Sequence, residues 1–153
     1  MKKVFRPAAR LVIIKNKKIL LCKMWDIWWL PWGGIDWWEC IETALKRESM
    51  EELAIAAEFD KVLFIQDFTV ELLDLETHNH SLEYFCTVKN NEDFFNVLDI
   101  YKTASHAHEL RDLGWFWIDE IPHTMKPQSF IQVLTSYLEN PDSVQWVYHS
   151  WIN

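Results

Sequence analysis

The order of apolar patterns along the chain predicts an α+β protein in which helices flank a mixed β-sheet. Strand-like segments come first, one helical segment follows, further strand-like segments come next, and a second helix lies near the end of the chain. Elements in this order fit a layered architecture of helices packed on a sheet. The chain has 153 residues, half of them hydrophobic and a quarter charged, which suits one soluble globular domain over residues 1–153.

The first elements are predicted to be a β-hairpin. Apolar strand-like segments at Ala8–Ile14 and Lys18–Lys23 are separated by Asn16-Lys17, a pair of residues typical of a tight turn. A third short strand is predicted at Ile27–Leu30, and it leads into a loop that contains two glycines.

The strongest helical pattern follows this loop and runs from about Ile41 to Ala54. The apolar spacing of a later segment, Gln128–Leu138, predicts a second helix. The elements predicted between them are, in chain order, a strand at Val62–Leu72, a polar hairpin loop at Leu73–Ser81, a strand at Leu82–Val88, a turn at Asn90–Asp93, an irregular segment at Asp99–Glu109, a strand at Gly114–Ile118 and a helical turn at Asp119–Pro122.

Composition and charge exclude several classes of protein. The net charge of −8 argues against a broad nucleic-acid-binding surface, but not against a nucleotide substrate, because a bound metal can supply local positive charge. No apolar run is long enough to span a membrane, and no signal peptide is evident. The three cysteines, Cys22, Cys40 and Cys86, show no paired spacing, which predicts reduced thiols in or near the core of a cytoplasmic protein.

Three glutamates carry the strongest functional signal. Glu48, Glu51 and Glu52 have the i, i+3, i+4 spacing that places side chains on one helix face. Like charges in this arrangement repel by about 0.2–0.5 kcal/mol per pair, so a cation is expected to bind there. An all-oxygen ligand set suits a hard divalent ion such as Mg²⁺ or Mn²⁺. The alternative is a solvated acidic helix with i, i+4 pairs such as Arg47–Glu51.

These glutamates belong to a segment that resembles the Nudix box, G-x5-E-x7-R-E-U-x-E-E-x-G-U, where U is a bulky aliphatic residue. The matching positions are Gly33, Glu39, Arg47, Glu48, Glu51, Glu52 and Ile55. Ser49 stands where an aliphatic residue is usual, and Ala54 stands where glycine is usual. Seven of the nine specified positions therefore match at fixed spacing. The run from Trp115 to Pro122 is similar to a late-strand signature of MutT-like members of the family.

The resemblance implies an α/β/α sandwich and Mg²⁺-dependent hydrolysis of a nucleoside diphosphate linked to another group. Such a reaction needs charge neutralisation on the phosphate oxygens and a positioned water. The open alternative is a catalytically weak Nudix-fold domain that binds a nucleotide without turnover. A homodimer is also possible, and the C-terminal aromatic residues Trp146, Tyr148 and Trp151 would either form its contact or pack on the domain.

The resemblance also implies roles for individual residues. Glu51 and Glu52 are the expected direct Mg²⁺ ligands, and Glu48 is either a third ligand or the base that takes a proton from water. Arg47 is expected to orient the glutamates, because a guanidinium pairs well with carboxylates. The further expected contributors are the carbonyl of Gly33 and the carboxylate of Glu109 as metal ligands, and Glu39 as a support of the loop.

Other side chains have functional and structural interpretations that the sequence leaves open. His78 and His80, like His106 and His108, form H-x-H pairs that suit either a zinc site or solvated loops, and the second pair also suits a phosphate contact. The aromatic residues that suit either stacking on a base or core packing are Phe85, Trp115 and Phe116.

Tryptophan is unusually frequent around the glycine loop. The chain has 10 Trp and 3 Gly, whereas average glycine usage of about 7% predicts roughly 11 glycines. Trp32 and Trp38 stand where the family usually has glycine, and Trp25 lies in a predicted turn. We hypothesise that some of these are UGA codons of an organism that reads UGA as glycine, with a divergent loop as the alternative. UGG codons at positions 32 and 38 would end this hypothesis.

Overall fold

The computed structural model describes residues 1–72, 76–125, 127–142 and 147–152, and it confirms the predicted α+β class. A five-stranded mixed sheet is central. Its strands are, in spatial order, β5 (Trp32–Gly34), β1 (Lys2–Val12), β7 (Thr77–Val88), β6 (Phe59–Leu72) and β9 (Val147–Ile152). β1 is parallel to β7 and β6 is parallel to β9, whereas β5 with β1 and β6 with β7 are antiparallel.

A second, smaller sheet is built around β3. Strand β3 (Lys18–Met24) pairs antiparallel with three partners, which are β2 (Ile14–Lys15), β4 (Ile27–Trp29) and β8 (Asp112–Trp117). The predicted strand Ala8–Ile14 is wrong as one unit, because the chain leaves the first sheet after Val12 and enters the second at Ile14. The turn at Asn16-Lys17 is confirmed, and both of its residues have positive φ.

Helices pack on both faces of the sheets through two separate cores. Helix α1 (Ile41–Leu53) contributes Leu45 and Leu53 to one core, and α3 (Ser129–Glu139) contributes Phe130 and Leu134 to the other. Neighbouring strand residues alternate between the cores because successive side chains point to opposite faces. The short α2 (Val97–Ile100) and 3₁₀ turns at Glu92–Asn96, Tyr101–Thr103, Ala107–Glu109 and Ile118–Glu120 complete the connections.

Several local predictions are corrected by the structure. The predicted loop Leu73–Ser81 is shorter, because β7 already begins at Thr77, and residues 73–75 lie outside the described residues. His78 and His80 therefore lie on a strand and not in a loop. Cys22 and Cys86 are buried as predicted, but Cys40 is exposed at the N-cap of α1.

The C-terminal segment adds a strand that the sequence patterns do not predict. Strand β9 extends the first sheet by pairing with β6 from Val147 to Ile152. Tyr148 and Trp151 lie on this strand, whereas Trp146 lies outside the described residues. Within the described parts of the chain, none of the helices combines the length and apolar character needed to cross a bilayer.

Candidate active site

The loop between β5 and α1 places a glycine against a glutamate. A Cβ atom added to Gly33 would lie 1.7 Å from Cδ of Glu48 and 2.1 Å from its Oε1. Gly33 does not have positive φ, so a larger residue here would be opposed only by the Glu48 side chain, which would have to shift, and not by the backbone conformation. The carboxylate of Glu48 thus lies directly on the backbone of the loop. The next glycine, Gly34, has open space around the corresponding position.

Arg47 connects the loop to the glutamates of α1. Its Nε and Nη2 donate to the two carboxylate oxygens of Glu39 at 2.7 and 2.8 Å, and Nη2 also donates to the Gly34 carbonyl at 2.9 Å. Its Nη1 donates to Glu48 at 2.6 Å and to Glu51 at 3.2 Å. All five N–H groups of the guanidinium are therefore used within the site. This geometry supports a positioning role, since no donor is left for a substrate.

The Arg47 contacts also set the charge state of the loop glutamate. Hydrogen bonds from Arg47 lower the pKa of Glu39 to about 2. The backbone N–H of Asp36 donates to the same carboxylate at 3.1 Å, which closes the turn before the helix. Glu39 is therefore ionised at neutral pH and holds the loop to α1.

Glu52 is the most buried of the three glutamates. Its residue is 4% exposed, and its Oε2 has no hydrogen-bond partner although it is fully buried. The backbone of Trp32 hydrogen-bonds to the Glu52 carboxylate. Burial raises the pKa of Glu52 to about 8, with smaller upward contributions from the charges of Glu48, Glu109 and Glu51. Burial also raises the pKa of Glu48, against the lowering effect of Arg47.

The segment before β8 brings a fourth carboxylate and a histidine to this cluster. The backbone N–H of His106 donates to the Glu51 carbonyl near the end of α1 at 2.7 Å. Nδ1 of His106 lies 3.6 Å from Glu51 Oε2 and 3.8 Å from Glu109 Oε1. The sequence predicts Glu109 as a further metal ligand, and the charge of Glu109 contributes to the raised pKa of Glu52. The sequence offers His106 and His108 for a phosphate contact, and the structure places His106 beside two of the carboxylates.

The donor set fits a hard divalent cation, although its ligating atoms do not all converge. Across the described ranges, no three His, Cys, Asp or Glu side chains are arranged as a ready metal site. At this helix, Glu48 and Glu51 both pair with Arg47. The unpartnered buried oxygen of Glu52 and the mutual repulsion of four carboxylates nevertheless match a site that a cation would stabilise.

The two departures from the family pattern lie in the second half of α1 and at its C-cap. Ser49 is buried, donates to the Lys46 carbonyl at 3.0 Å and accepts from the Ala57 N–H at 2.8 Å. It therefore ties the helix to the chain beyond it. Ala54 is the C-cap with φ 56°, a left-handed conformation that favours glycine.

The structure decides between the functional and structural interpretations of Phe85 and of the pair His78 and His80. Phe85 is fully buried against Phe64 and Phe130, so it fills the core and does not face a ligand. His78 pairs with Glu71, and His80 lies 2.5 Å from Asp67, without forming a metal cluster among the described residues.

The tryptophans of the loop differ from one another. Trp25 has φ 54° and is 76% exposed, Trp38 is 86% exposed without positive φ, and Trp32 lies half-buried in β5 without positive φ. The backbone thus has a glycine-like conformation at only one of the three suspected positions. Whether any of them is a recoded glycine stays a hypothesis.

Arg10 and Glu83 form a buried ion pair that the sequence patterns do not predict. Arg10 on β1 donates to both carboxylate oxygens of Glu83 on β7 at 2.7 and 2.8 Å. Its guanidinium lies 5.2 Å from the ring centroids of Trp29 and Trp32. The sequence does contain a signal for this pair, because Arg10 and Glu83 are each the single charged residue of an apolar strand pattern. Buried charges are rare unless they are paired, so two such residues of opposite charge suggest an ion pair.

Comparisons with known proteins agree with this geometry. The NUDIX domain family model matches residues 4–135, so the chain belongs to the Nudix family. It is a MutT-like hydrolase that acts on phosphoanhydride bonds, and hydrolases of this family generally use divalent metal ions.

Solved structures share the fold. A MutT NUDIX hydrolase from Burkholderia pseudomallei is 25% identical, with 86% of this chain and 97% of that chain covered and a TM-score of 0.61. An ADP-ribose pyrophosphatase from Streptococcus suis is 19% identical, with coverage of 94% and 98% and a TM-score of 0.61. The mutator MutT protein from Bacillus halodurans is 15% identical, with coverage of 96% and 89% and a TM-score of 0.63. The search of curated proteins found no match.

Proposed function

We propose that this chain is a Mg²⁺-dependent pyrophosphohydrolase, with Mn²⁺ as an alternative metal. It cleaves the pyrophosphate linkage of a nucleoside triphosphate, or of another nucleoside diphosphate joined to a further group, as a single cytoplasmic domain over residues 1–153. The observation that carries the proposal is the buried, unpartnered oxygen of Glu52 within a cluster of four carboxylates. Oxygen ligands around a partly dehydrated site are what a hard divalent ion requires.

The residues of the site divide into holding and positioning roles. Glu51 and Glu52 would hold the cation, with the Gly33 carbonyl and Glu109 as further ligands. When bound, a divalent cation neutralises charge on the phosphate oxygens. Arg47 positions Glu48 and Glu51 through the contacts already described and does not touch the substrate.

Glu48 has two compatible roles. Its carboxylate lies on the backbone of Gly33, and its raised pKa makes it a better proton acceptor than an exposed glutamate. It is therefore either the third ligand or the base that takes a proton from the attacking water. A Glu48→Gln variant that still binds Mg²⁺ with normal affinity but loses turnover would identify the base.

The direct test is hydrolysis of a nucleotide panel in the presence of Mg²⁺. The panel includes nucleoside triphosphates, oxidised deoxynucleoside triphosphates, dinucleoside polyphosphates, ADP-ribose and capped RNA, with the last disfavoured by the acidic charge. We expect Glu52→Gln to lower kcat by at least about a hundredfold. Glu42→Gln is the matched control, because it removes a carboxylate from an exposed position of the same helix. Equal losses for Glu52→Gln and Glu109→Gln, or no loss for the former, would overturn the assignment.

One observation favours a second candidate, a Nudix-fold domain that binds a nucleotide without turnover. Both Glu48 and Glu51 are engaged by Arg47 Nη1, at 2.6 and 3.2 Å. A protein that keeps these contacts with a nucleotide bound would lack converging metal ligands. Binding of a nucleotide with no hydrolysis across the panel, at any Mg²⁺ or Mn²⁺ concentration, would establish this candidate instead.

A further inference from the structure

A second polar cluster lies in a cavity on the face of the first sheet opposite α1. The cavity has a volume of about 400 Å³. We call it the Arg10 cavity, and the lining residues that matter here are Arg10, Trp29, Gln66, Phe68, Glu83 and Gln128. Arg10, Gln66 and Glu83 are only 4–5% exposed, whereas Trp29 and Phe68 are half-buried and Gln128 is exposed. The cavity therefore has a polar floor and an aromatic, solvent-accessible rim.

Strand register explains why these three polar side chains meet. Gln66 of β6 is the register partner of Glu83 of β7, so the two side chains share one face of the sheet. Arg10 of β1 is the register partner of Phe85, which lies on that same face of β7. The cluster thus lies across three adjacent strands at the centre of the sheet.

Two buried polar atoms on this floor have no partner within the described protein. They are Nη1 of Arg10, which is a donor, and Oε1 of Gln66, which is an acceptor. Leaving such an atom buried and unpaired costs about 1–3 kcal/mol. Two of them in one cavity point to a ligand that accepts one hydrogen bond and donates another.

The charge of the floor restricts the ligand further. Glu83 uses both carboxylate oxygens on Arg10, so the pair is neutral overall and offers no net positive charge to a phosphate or carboxylate. The half-buried rings of Trp29 and Phe68 at the rim suit a flat ring, since aromatic faces stack on one another. A neutral, planar, polar ring fits these constraints, and an anion does not.

Trp32 connects the Arg10 cavity to the carboxylate cluster. Its backbone hydrogen-bonds to Glu52, and its ring lies 5.2 Å from the Arg10 guanidinium. One residue of β5 therefore contacts both Glu52 and Arg10, which places the cavity next to the part of the site that holds the glutamates.

We infer that the Arg10 cavity binds the base of the nucleotide substrate and selects a base with a carbonyl beside a ring N–H, as in guanine and uracil. The base carbonyl accepts from Arg10 Nη1, and the adjacent ring N–H donates to Gln66 Oε1. Arginine commonly pairs with a guanine carbonyl, whereas glutamine recognises adenine through both ends of its amide. Of the two ends of the Gln66 amide, the oxygen is the one that is buried and unpartnered. This inference rests on the proposed function, because it assigns the base of that substrate.

The test measures binding of nucleoside monophosphates to the metal-free full chain by quenching of tryptophan fluorescence. We expect GMP and UMP to bind more tightly than AMP and CMP. Gln66→Met keeps the side-chain volume but removes the acceptor, so it should weaken GMP and UMP binding roughly tenfold and leave AMP unchanged. The Tm should stay the same or rise, because an unpartnered buried oxygen is removed; a fall in Tm would show that Gln66 has a structural partner.

The matched control is Thr69→Val, which removes a hydroxyl on the same strand at a position that lines a different surface. Equal affinities for the four monophosphates, or a Gln66→Met variant that binds all four normally, would overturn the inference. The order in which the wild-type protein binds the four monophosphates tests the inference even if the Gln66→Met variant does not fold. Hydrolysis of the panel without base preference would refute only this inference, whereas base-selective binding without hydrolysis would refute only the proposed activity.

Discussion

Gly33 and Gly34 are adjacent, but they differ in the space that is available for a side chain. A Cβ atom at Gly33 would overlap the Glu48 carboxylate, whereas one at Gly34 would meet nothing within 4 Å. Neither has positive φ, so their difference is purely one of space. The pair offers a test of how closely the loop and the helix must approach.

We expect Gly33→Ala to lower kcat by roughly a hundredfold, because displacing a catalytic group by about 1 Å has an effect of that size. Gly34→Ala is the control and should retain activity close to that of the wild type. Steady-state kinetics on the best substrate of the panel measures both. A fully active Gly33→Ala variant would show that Glu48 is free to move away from the loop.

Glu52 should make the stability of the metal-free protein depend on pH. Its pKa is raised from 4.5 to about 8 in the folded state. Between these values the folded protein binds more protons than the unfolded chain, so stability is full below about pH 4.5 and falls as pH rises toward 8. Thermal unfolding from pH 5 to 8 should show this fall, and saturating Mg²⁺ should reverse it.

Glu52→Gln should flatten that dependence, because an amide does not ionise. Its Tm without metal should exceed that of the wild type at pH 8 by several degrees, at about 2–4 °C per kcal/mol for a domain of this size. It should also gain much less from Mg²⁺. A variant with an unchanged pH slope would show that another group titrates.

Residue-level prediction from sequence succeeds where spacing along one element decides the outcome. Glu48, Glu51 and Glu52 come together because helical periodicity is fixed. The meeting of Arg10 with Glu83 depends on which strands are neighbours and in which register, and no local pattern contains that information.

At the level of elements, the turn at Trp25 has a conformation that suits glycine. Trp25 has φ 54° and is 76% exposed, so it combines an unfavourable backbone with little packing. Trp38 is similarly exposed but lacks positive φ. Comparing glycine substitutions at the two positions therefore distinguishes relief of backbone strain from the general effect of introducing glycine.

We expect Trp25→Gly to be more stable than Trp38→Gly by about 1–2 kcal/mol in free energy of unfolding. Both variants gain the same flexibility in the unfolded chain, and only the first relieves strain in the folded state. Urea denaturation of the two proteins measures the difference. Equal stabilities would remove the backbone argument for glycine at position 25.

Elements with a strong local signature were predictable, and those defined by distant partners were not. The first helix was placed within one residue at its C-terminal end, where Ala54 is the cap. The division between β1 and β2 near Ile13 was missed because apolar residues continue through it, and only the choice of sheet changes. Strand β9 was missed because its pairing with β6 joins distant parts of the chain.

For the whole molecule, the pair formed by Arg10 and Glu83 links strands from distant parts of the chain. Replacing Arg10 by Met would leave Glu83 buried and unpaired, which costs about 4 kcal/mol. Arg6→Met is the matched control, because it makes the same change at an exposed position of the same strand. Urea denaturation should show a large loss for the first and a small one for the second. Similar stabilities would mean that water reaches Glu83.

The parallel pairing of β1 with β7 also has a consequence for biosynthesis. Its register partners, from Lys2 with Thr77 to Val12 with Thr87, lie about 75 positions apart. At about 5–20 residues per second, a ribosome needs roughly 4–15 s to supply the partner of each β1 residue. Until then, the apolar end of β1, which includes Leu11 and Val12, has no β7 strand to pair with. We expect a chaperone that covers exposed apolar segments of nascent chains to bind β1 during this interval.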